Sequence, residues 1–287
     1  MPGSSAFTIR PWVLWVGPAR DADLRLARLQ VGRIAVVADA VSPREAAAGS
    51  ADGGRGGSPA VILLASPTPA TWSLADVIAV RLAWPLAAVV SVAAGLVDGR
   101  RRSGPALAGV EEVPWHDLPG RLAWWLADRA AGRPGTLGLP PTVRREERFL
   151  EGPRAALAGP PPRLVVAAQR PIDLEAACDL VAAAGGSVVQ AVRGRPPLTA
   201  AADAILWDVA TPGDADLPWL RMLLAERPTR RVIVLDSFPR ADRVGAMLRA
   251  GAAAVLGRPG SAEAVAGVLA GPAIAPGIGL GGVGPSP

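Results

Sequence analysis

One segment of this chain is written twice. Val61-Ile62-Leu63-Leu64-Ala65-Ser66-Pro67-Thr68-Pro69 aligns with Ala204-Ile205-Leu206-Trp207-Asp208-Val209-Ala210-Thr211-Pro212, 143 positions further on. The same offset carries Pro85 to Pro228, and Val89-Val90-Ser91-Val92 to Val232-Ile233-Val234-Leu235. Gly109 falls near Gly251 and Val113 near Val255 at an offset of 142. A register kept across an apolar run, a helical stretch and a second apolar run, with its Pro and Gly punctuation, implies one supersecondary unit used twice. The length of 287 residues fits two domains of ordinary size.

The second copy alternates strand and helix patterns. Strands are expected at Arg163–Ala168, Ser187–Val192, Ala204–Trp207, Arg231–Leu235 and Ala252–Leu256. Helices are expected from Ile172 to Ala184, Leu217 to Glu226, Arg240 to Ala250, and onward from Ser261. The strands are unbroken apolar runs, which implies burial on both faces of a parallel sheet with helices on either side. The first copy fits the same frame with strands at Trp12–Val16, Arg33–Ala38, Ala60–Leu64, Leu86–Val92 and Glu111–Trp115, and a last helix at Leu118–Ala130. The expected division is therefore a first domain over 1–130, a Pro/Gly-rich linker over 131–161, a second domain over 162–270 and a disordered tail over 271–287. Within the first domain, residues 45–59 read as a disordered insertion and Asp98–Pro105 as a basic loop where helix four should be.

Composition removes several classes of function. All thirty basic residues are arginine, and the net charge is only +5. An ordinary surface explains this better than a nucleic-acid patch, so nucleic acid is not expected as a partner. Cys178 is the one cysteine and His116 the one histidine. An internal disulfide is excluded, and no metal site is expected. Cys178 lies on the apolar side of a helical pattern and reads as a small core residue. Leu82–Val97 is apolar but too short to span a bilayer and holds Pro85, so it reads as a helix end, a turn and a buried strand. The first residues lack a secretory pattern, and a cytoplasmic location is expected.

Other sequence features lead to bland readings. His116-Asp117 could form an acid–base pair, but no nucleophile in a strand-tip turn accompanies it. Gly277–Gly282 has neither a strand before it nor a helix after it, so it is not a phosphate loop. Arg100-Arg101-Arg102 reads as a solvated run. Trp124 and Trp125, adjacent on one helix, cannot both face the same core, so one of them is expected to contact the second copy or a partner.

Asp208 carries the chemistry. It follows the apolar run Ala204–Trp207 and precedes Thr211-Pro212-Gly213. An open α/β sheet presents reactive groups at such a strand tip. Together with Arg231–Leu235, Leu248-Arg249-Ala250-Gly251-Ala252 and Val255-Leu256-Gly257-Arg258-Pro259, this pattern resembles the receiver domain of bacterial response regulators, from Pro162 to about Leu269. The resemblance implies a flavodoxin-like, doubly wound, five-stranded parallel sheet of order 2-1-3-4-5, present here twice in tandem. It also implies that Asp208 stands at the position of a phosphoacceptor, Asp236 with Ser237 at that of a Thr or Ser, and Arg258 at that of a Lys. Where the family has two acids that help to hold Mg²⁺, this chain has Ala168 and Gln169. In the first copy Ala65 stands in the acceptor position and His116 falls where Arg258 falls, while Trp15-Val16-Gly17-Pro18 offers no acids.

The expected protein is thus a non-catalytic interaction module of two tandem pseudo-receiver domains, with no cofactor and no catalytic residue; Asp208 is expected as a vestigial acceptor paired with Arg258, in a structural charge cluster that includes Asp236. Its partner, another protein or a second copy, is expected on the face formed by helix four, strand five and helix five, Arg240 to Leu269, with no membrane involved. The alternatives are a phosphorylatable response regulator that uses Asp208 in a two-component phosphorelay, and a flavodoxin-like enzyme or nucleotide binder. The second lacks a Gly-rich first turn.

Overall fold

The computed structural model describes residues 11–49, 57–98, 107, 110–133, 137, 157 and 159–271. It forms two compact units, Met1–Val113 and Pro114–Pro287. The first holds α1 (Ala22–Ile34), α2 (Pro43–Gly49), α3 (Leu74–Ala83) and the short α4 (Gly95–Asp98). Its parallel sheet comprises β1 (Trp12–Val16), β2 (Val36–Ala40), β3 (Val61–Ser66), β4 (Ala88–Ala93) and β5 (Glu111–Pro114), in the order β2-β1-β3-β4-β5.

The second unit opens with α5 (Leu118–Ala130), the helix that closes the first copy in sequence. Then follow β6 (Arg163–Ala168), α6 (Pro171–Ala183), β7 (Ser187–Arg193), β8 (Ala204–Ala210), α7 (Asp216–Glu226), β9 (Arg231–Asp236), α8 (Ala241–Arg249), β10 (Ala254–Gly257) and α9 (Ala262–Ala270). This sheet has the order β10-β9-β8-β6-β7, which is the same 2-1-3-4-5 winding. Both units are therefore doubly wound α/β folds with five-stranded parallel sheets.

The repeat survives in three dimensions. Strands β3, β4 and β5 begin 143 residues before β8, β9 and β10 (61, 88 and 111 against 204, 231 and 254). Val61 pairs with Ala88 as Ala204 pairs with Arg231. Counted from strand five, Trp115 rather than His116 takes the place of Arg258. The inner strands are buried along nearly their whole length, as unbroken apolar runs require. The edge strand β7 is largely exposed and β2 partly so, whereas the edge strand β10 is buried.

Local chemistry moves some boundaries. Residues 43–49 form a helix at the start of the segment expected to be disordered. Ser42 and Glu45 explain it: the Glu45 amide donates to Ser42 Oγ at 3.2 Å, and Glu45 Oε2 accepts from the Val41 amide at 2.8 Å. Helix α1 runs to Ile34, so β2 begins at Val36 rather than Arg33. Strand β8 continues past Trp207 to Ala210, and its pairing with β9 is irregular between Asp208 and Ala210, whose φ is 62°. Most of the expected linker, the Arg100–Arg102 run, residues 50–56 of the insertion and the tail beyond Gly271 lie outside the described residues.

Helix α5 packs on α9 inside the second unit. Trp124 and Trp125 are both buried there, and the Arg121 guanidinium lies 4.9 Å from the Trp125 ring centroid. Arg121 also donates to Glu263 Oε2 from Nε at 2.8 Å. The two helices cross at glycines: a Cβ on Gly120 would lie 2.5 Å from the Ala264 carbonyl oxygen. The α9 edge of the face expected to meet a partner is thus covered by a helix of the same chain. Among the described residues no helix is long and apolar enough to cross a membrane.

Candidate functional site

Strand β8 brings Asp208 to the carboxyl end of the sheet, and the loop after β10 brings Arg258 to meet it. Apolar neighbours on the inner strands bury Asp208 to 4% exposure, while Arg258 keeps 21% of its side chain exposed. Arg258 Nε donates to Asp208 Oδ2 at 2.9 Å, and Nη2 donates to the same oxygen. The Ala210 amide donates to Asp208 Oδ1 at 3.1 Å, which the left-handed turn at Ala210 makes possible.

A further member of this cluster is not marked by any strand-end motif. Asp173, in the first turn of α6, approaches Arg258 Nη2 at 3.1 Å and receives a two-pronged contact from Arg170, at 2.7 Å from Nε and 2.7 Å from Nη2. Its signal was an acid two residues after the Pro171 that opens the helix, just beyond the vacant positions Ala168 and Gln169. The result is a ladder Arg170–Asp173–Arg258–Asp208, in which one guanidinium lies between two carboxylates. Ser237 Oγ joins only at the long limit, 3.5 Å from Arg258 Nη1.

Asp236 stays outside this ladder. It is fully buried at the end of β9, and its Oδ1 accepts from the Phe238 amide at 2.9 Å. Its link to Arg258 is through the backbone: the Arg258 amide donates to the Asp236 carbonyl at 3.1 Å.

These positions decide the electrostatics. Burial pushes the Asp208 carboxyl above its ordinary range, against the pull of its hydrogen bonds from Arg258. Arg170 lowers Asp173 to about 2, with a further contribution from Arg258. Burial disfavours the charge on Arg258, but its bonds to Asp208 and then Asp173 outweigh that and raise it. The donor set does not suit a divalent cation. Ala168 and Gln169 supply no carboxylate, and Asp208 and Asp173 are both held by the Arg258 guanidinium. No cluster of three or more His, Cys, Asp or Glu able to hold a metal ion occurs among the described residues.

The equivalent corner of the first unit is filled by an aromatic ring. Trp72 Nε1 donates to the Ala65 carbonyl at 2.8 Å. Gly17, at φ 102°, lies so close that a Cβ there would come within 2.7 Å of the indole. Ala65 offers no carboxylate, and its neighbour Ser66 bonds Ser91 at 2.9 Å in the interior.

His116 and Asp117 are buried. His116 Nδ1 lies 3.0 Å from Asp117 Oδ1, and the Gly257 amide points at both, at 3.1 and 3.2 Å. The pair holds the end of β10. Cys178 is half-buried on α6.

No protein-family model matches this chain, and none of the curated proteins is significantly similar to it. Solved structures are similar over roughly one domain. A pilus-assembly-related protein of Burkholderia pseudomallei is 23% identical over 37% of this chain and 85% of its own, with a TM-score of 0.34. A response regulator of Thermotoga maritima is 21% identical over 37% of this chain and 92% of its own, with a TM-score of 0.33. A chemotaxis response regulator of Vibrio cholerae is 17% identical over 38% of this chain and 96% of its own, also with a TM-score of 0.33.

Proposed function

We propose that this protein is a non-catalytic signalling module built from two pseudo-receiver domains, which works through protein contacts. One observation carries the reading. The guanidinium of Arg258 sits between Asp208 and Asp173, where phosphoryl transfer to Asp208 would need a metal ion and an open carboxylate oxygen. Asp208 Oδ2 is already bonded by Arg258 and Oδ1 by the Ala210 amide. The first unit supports the same reading, with Trp72 laid over Ala65. For a partner protein, the face from Arg240 to Leu269 keeps the α8 side, with Asp242 and Arg249 exposed, since α5 engages α9.

The alternative is a phosphorylatable receiver. Asp173 is the observation that favours it, because it restores one acid near Asp208 at a corner where the strand end has none. Incubation of the full chain with acetyl phosphate, or with beryllofluoride, in the presence of Mg²⁺ separates the two. The expected outcome is no phosphoryl mass gain and no change in tryptophan fluorescence. A Mg²⁺-dependent adduct that disappears in Asp208→Ala would overturn the non-catalytic reading.

A further inference from the structure

A cleft of about 530 Å³ opens at the amino end of the second sheet. The turn between α7 and β9 supplies Arg227, Thr229, Arg230 and Arg231 to its lining. Arg231 opens β9 and Asp236 closes it, so the length of the strand separates the cleft from the ladder at Asp208.

Two of these arginines are held in place without being neutralised. Arg230 is 4% exposed, and its Nη1 and Nη2 donate to the carbonyls of Leu198 and Ala200 at 3.2 and 2.6 Å. Its Nε–H is buried and has no partner among the described residues. Arg231 Nη1 and Nη2 donate to the carbonyls of Leu269 and Gly271 at the end of α9. Carbonyls satisfy hydrogen bonds but cancel no charge, and neither guanidinium forms an ion pair among the described residues. Burial lowers the basicity of both. A cation taken out of water is costly unless an anion accompanies it.

The acids that line the cleft do not fill that role. Asp203 Oδ2 accepts from the Arg163 amide at 2.8 Å. Glu226 is exposed, and at Arg230 its attraction is outweighed by repulsion from Arg227. The internal repeat shows that the architecture does not require these charges. At the same turn the first copy has Trp84, Pro85, Leu86, Ala87 and Ala88 in place of Arg227, Pro228, Thr229, Arg230 and Arg231.

The chemistry of the cleft selects its ligand. Guanidinium forks suit two-pronged contact with phosphate oxygens. A phosphate group carries close to two negative charges near neutral pH, which suits a cleft where three arginines outnumber two acids. The carbonyl contacts fix Arg230 and Arg231 beforehand, so little side-chain freedom is lost on binding. The volume is that of a small-molecule site, and Pro160, Pro162 and Leu269 add an apolar wall. No aromatic ring lines the cleft, so a nucleotide base would find nothing to stack on.

We infer that this cleft binds a small phosphate-bearing molecule, with its phosphate group on Arg227, Thr229 and Arg230. The site is independent of the interaction role proposed above and of the state of Asp208.

Calorimetric titration of the full chain at fixed ionic strength tests it, with glycerol 3-phosphate, inorganic phosphate and succinate as probes. Saturable binding of a phosphate probe, tighter than that of succinate, is expected. Arg227→Ala, at an exposed position, is expected to weaken it about tenfold, the scale of one lost charge-assisted hydrogen bond. Glu226→Gln removes the competing carboxylate and is expected to tighten it. Arg193→Ala removes the same charge at the exposed far end of β7 and is expected to leave it within about twofold. Glycerol 3-phosphate binding more tightly than inorganic phosphate identifies a phosphate ester as the ligand, and equal binding identifies free phosphate; both uphold the site. No saturable binding of either phosphate overturns the inference. So does a preference for succinate, or an equal loss in Arg227→Ala and Arg193→Ala. Binding at the cleft adds no covalent phosphoryl group, so this reading and the non-catalytic one fail separately.

Discussion

The carbonyl oxygen of Gly120 occupies the space that a side chain on Gly267 would need: a Cβ there would lie 1.8 Å from it. Helices α5 and α9 therefore approach backbone to backbone, and neither atom belongs to a flexible side chain that could swing away. Gly267→Ala is expected to destabilise the second unit by about 3 kcal/mol, the scale of overpacking in a rigid interior. Gly120→Ala, 2.5 Å from the Ala264 carbonyl, acts in the same direction. Gly32→Ala in α1 is the control. Its nearest neighbour is the end of the Arg28 side chain at 3.5 Å, and the gain in helix propensity is expected to stabilise by up to about 1 kcal/mol. Urea unfolding followed by tryptophan fluorescence measures all three, and equal effects for Gly267→Ala and Gly32→Ala would contradict the close crossing.

Arg258 and Asp208 are expected to be coupled. Removing the guanidinium leaves a buried carboxylate with one amide donor, so Arg258→Ala should cost about 2–4 kcal/mol. Asp208→Asn removes the charge instead and should cost less. The decisive measurement is the double variant: with no carboxylate left to strand, it should be more stable than Arg258→Ala alone. A double variant as unstable as the sum of the singles would show that the pair is not interacting.

Asp173 should titrate far below an ordinary carboxylate. Its folded value is lowered to about 2, with the Arg170 hydrogen bond the largest cause. A depressed acid contributes stability that is fully present above its unfolded value and is lost as the pH falls through the folded one. The contribution of Asp173 should therefore vanish between about pH 4 and pH 2. Asp208 runs the other way, since burial raises it and acidification favours its folded, protonated form. Carboxyl carbon NMR can follow Asp173 by itself. Arg170→Ala should raise its midpoint more than Arg258→Ala does, and the reverse order would mean that Arg258 governs the ladder.

The architecture was legible in the sequence because it depends on periodicity. Unbroken apolar runs, helical stops at Gly and Pro, and an offset of 143 residues are properties of the chain itself. They led to both sheets and to helix ends such as Leu118–Ala130. The candidate site was legible in part: Asp208 and Arg258 sit at ends of expected strands, which a doubly wound sheet must gather at one edge. The Asp208–Arg258 pair was legible, but what α5 packs on and which further groups join that pair were not, because they depend on contacts between segments far apart in sequence. Asp173 looks like an ordinary first-turn helix acid until α6 is set beside the loop that carries Arg258. Trp72 is one tryptophan of nine until the tertiary structure lays it over Gly17 and Ala65. The sequence by itself determined two copies of one winding, since local pattern and chain connectivity suffice for that. Only the tertiary structure decided that Asp208 is held by an arginine shared with Asp173, because the partners of a buried charge are chosen by proximity in space.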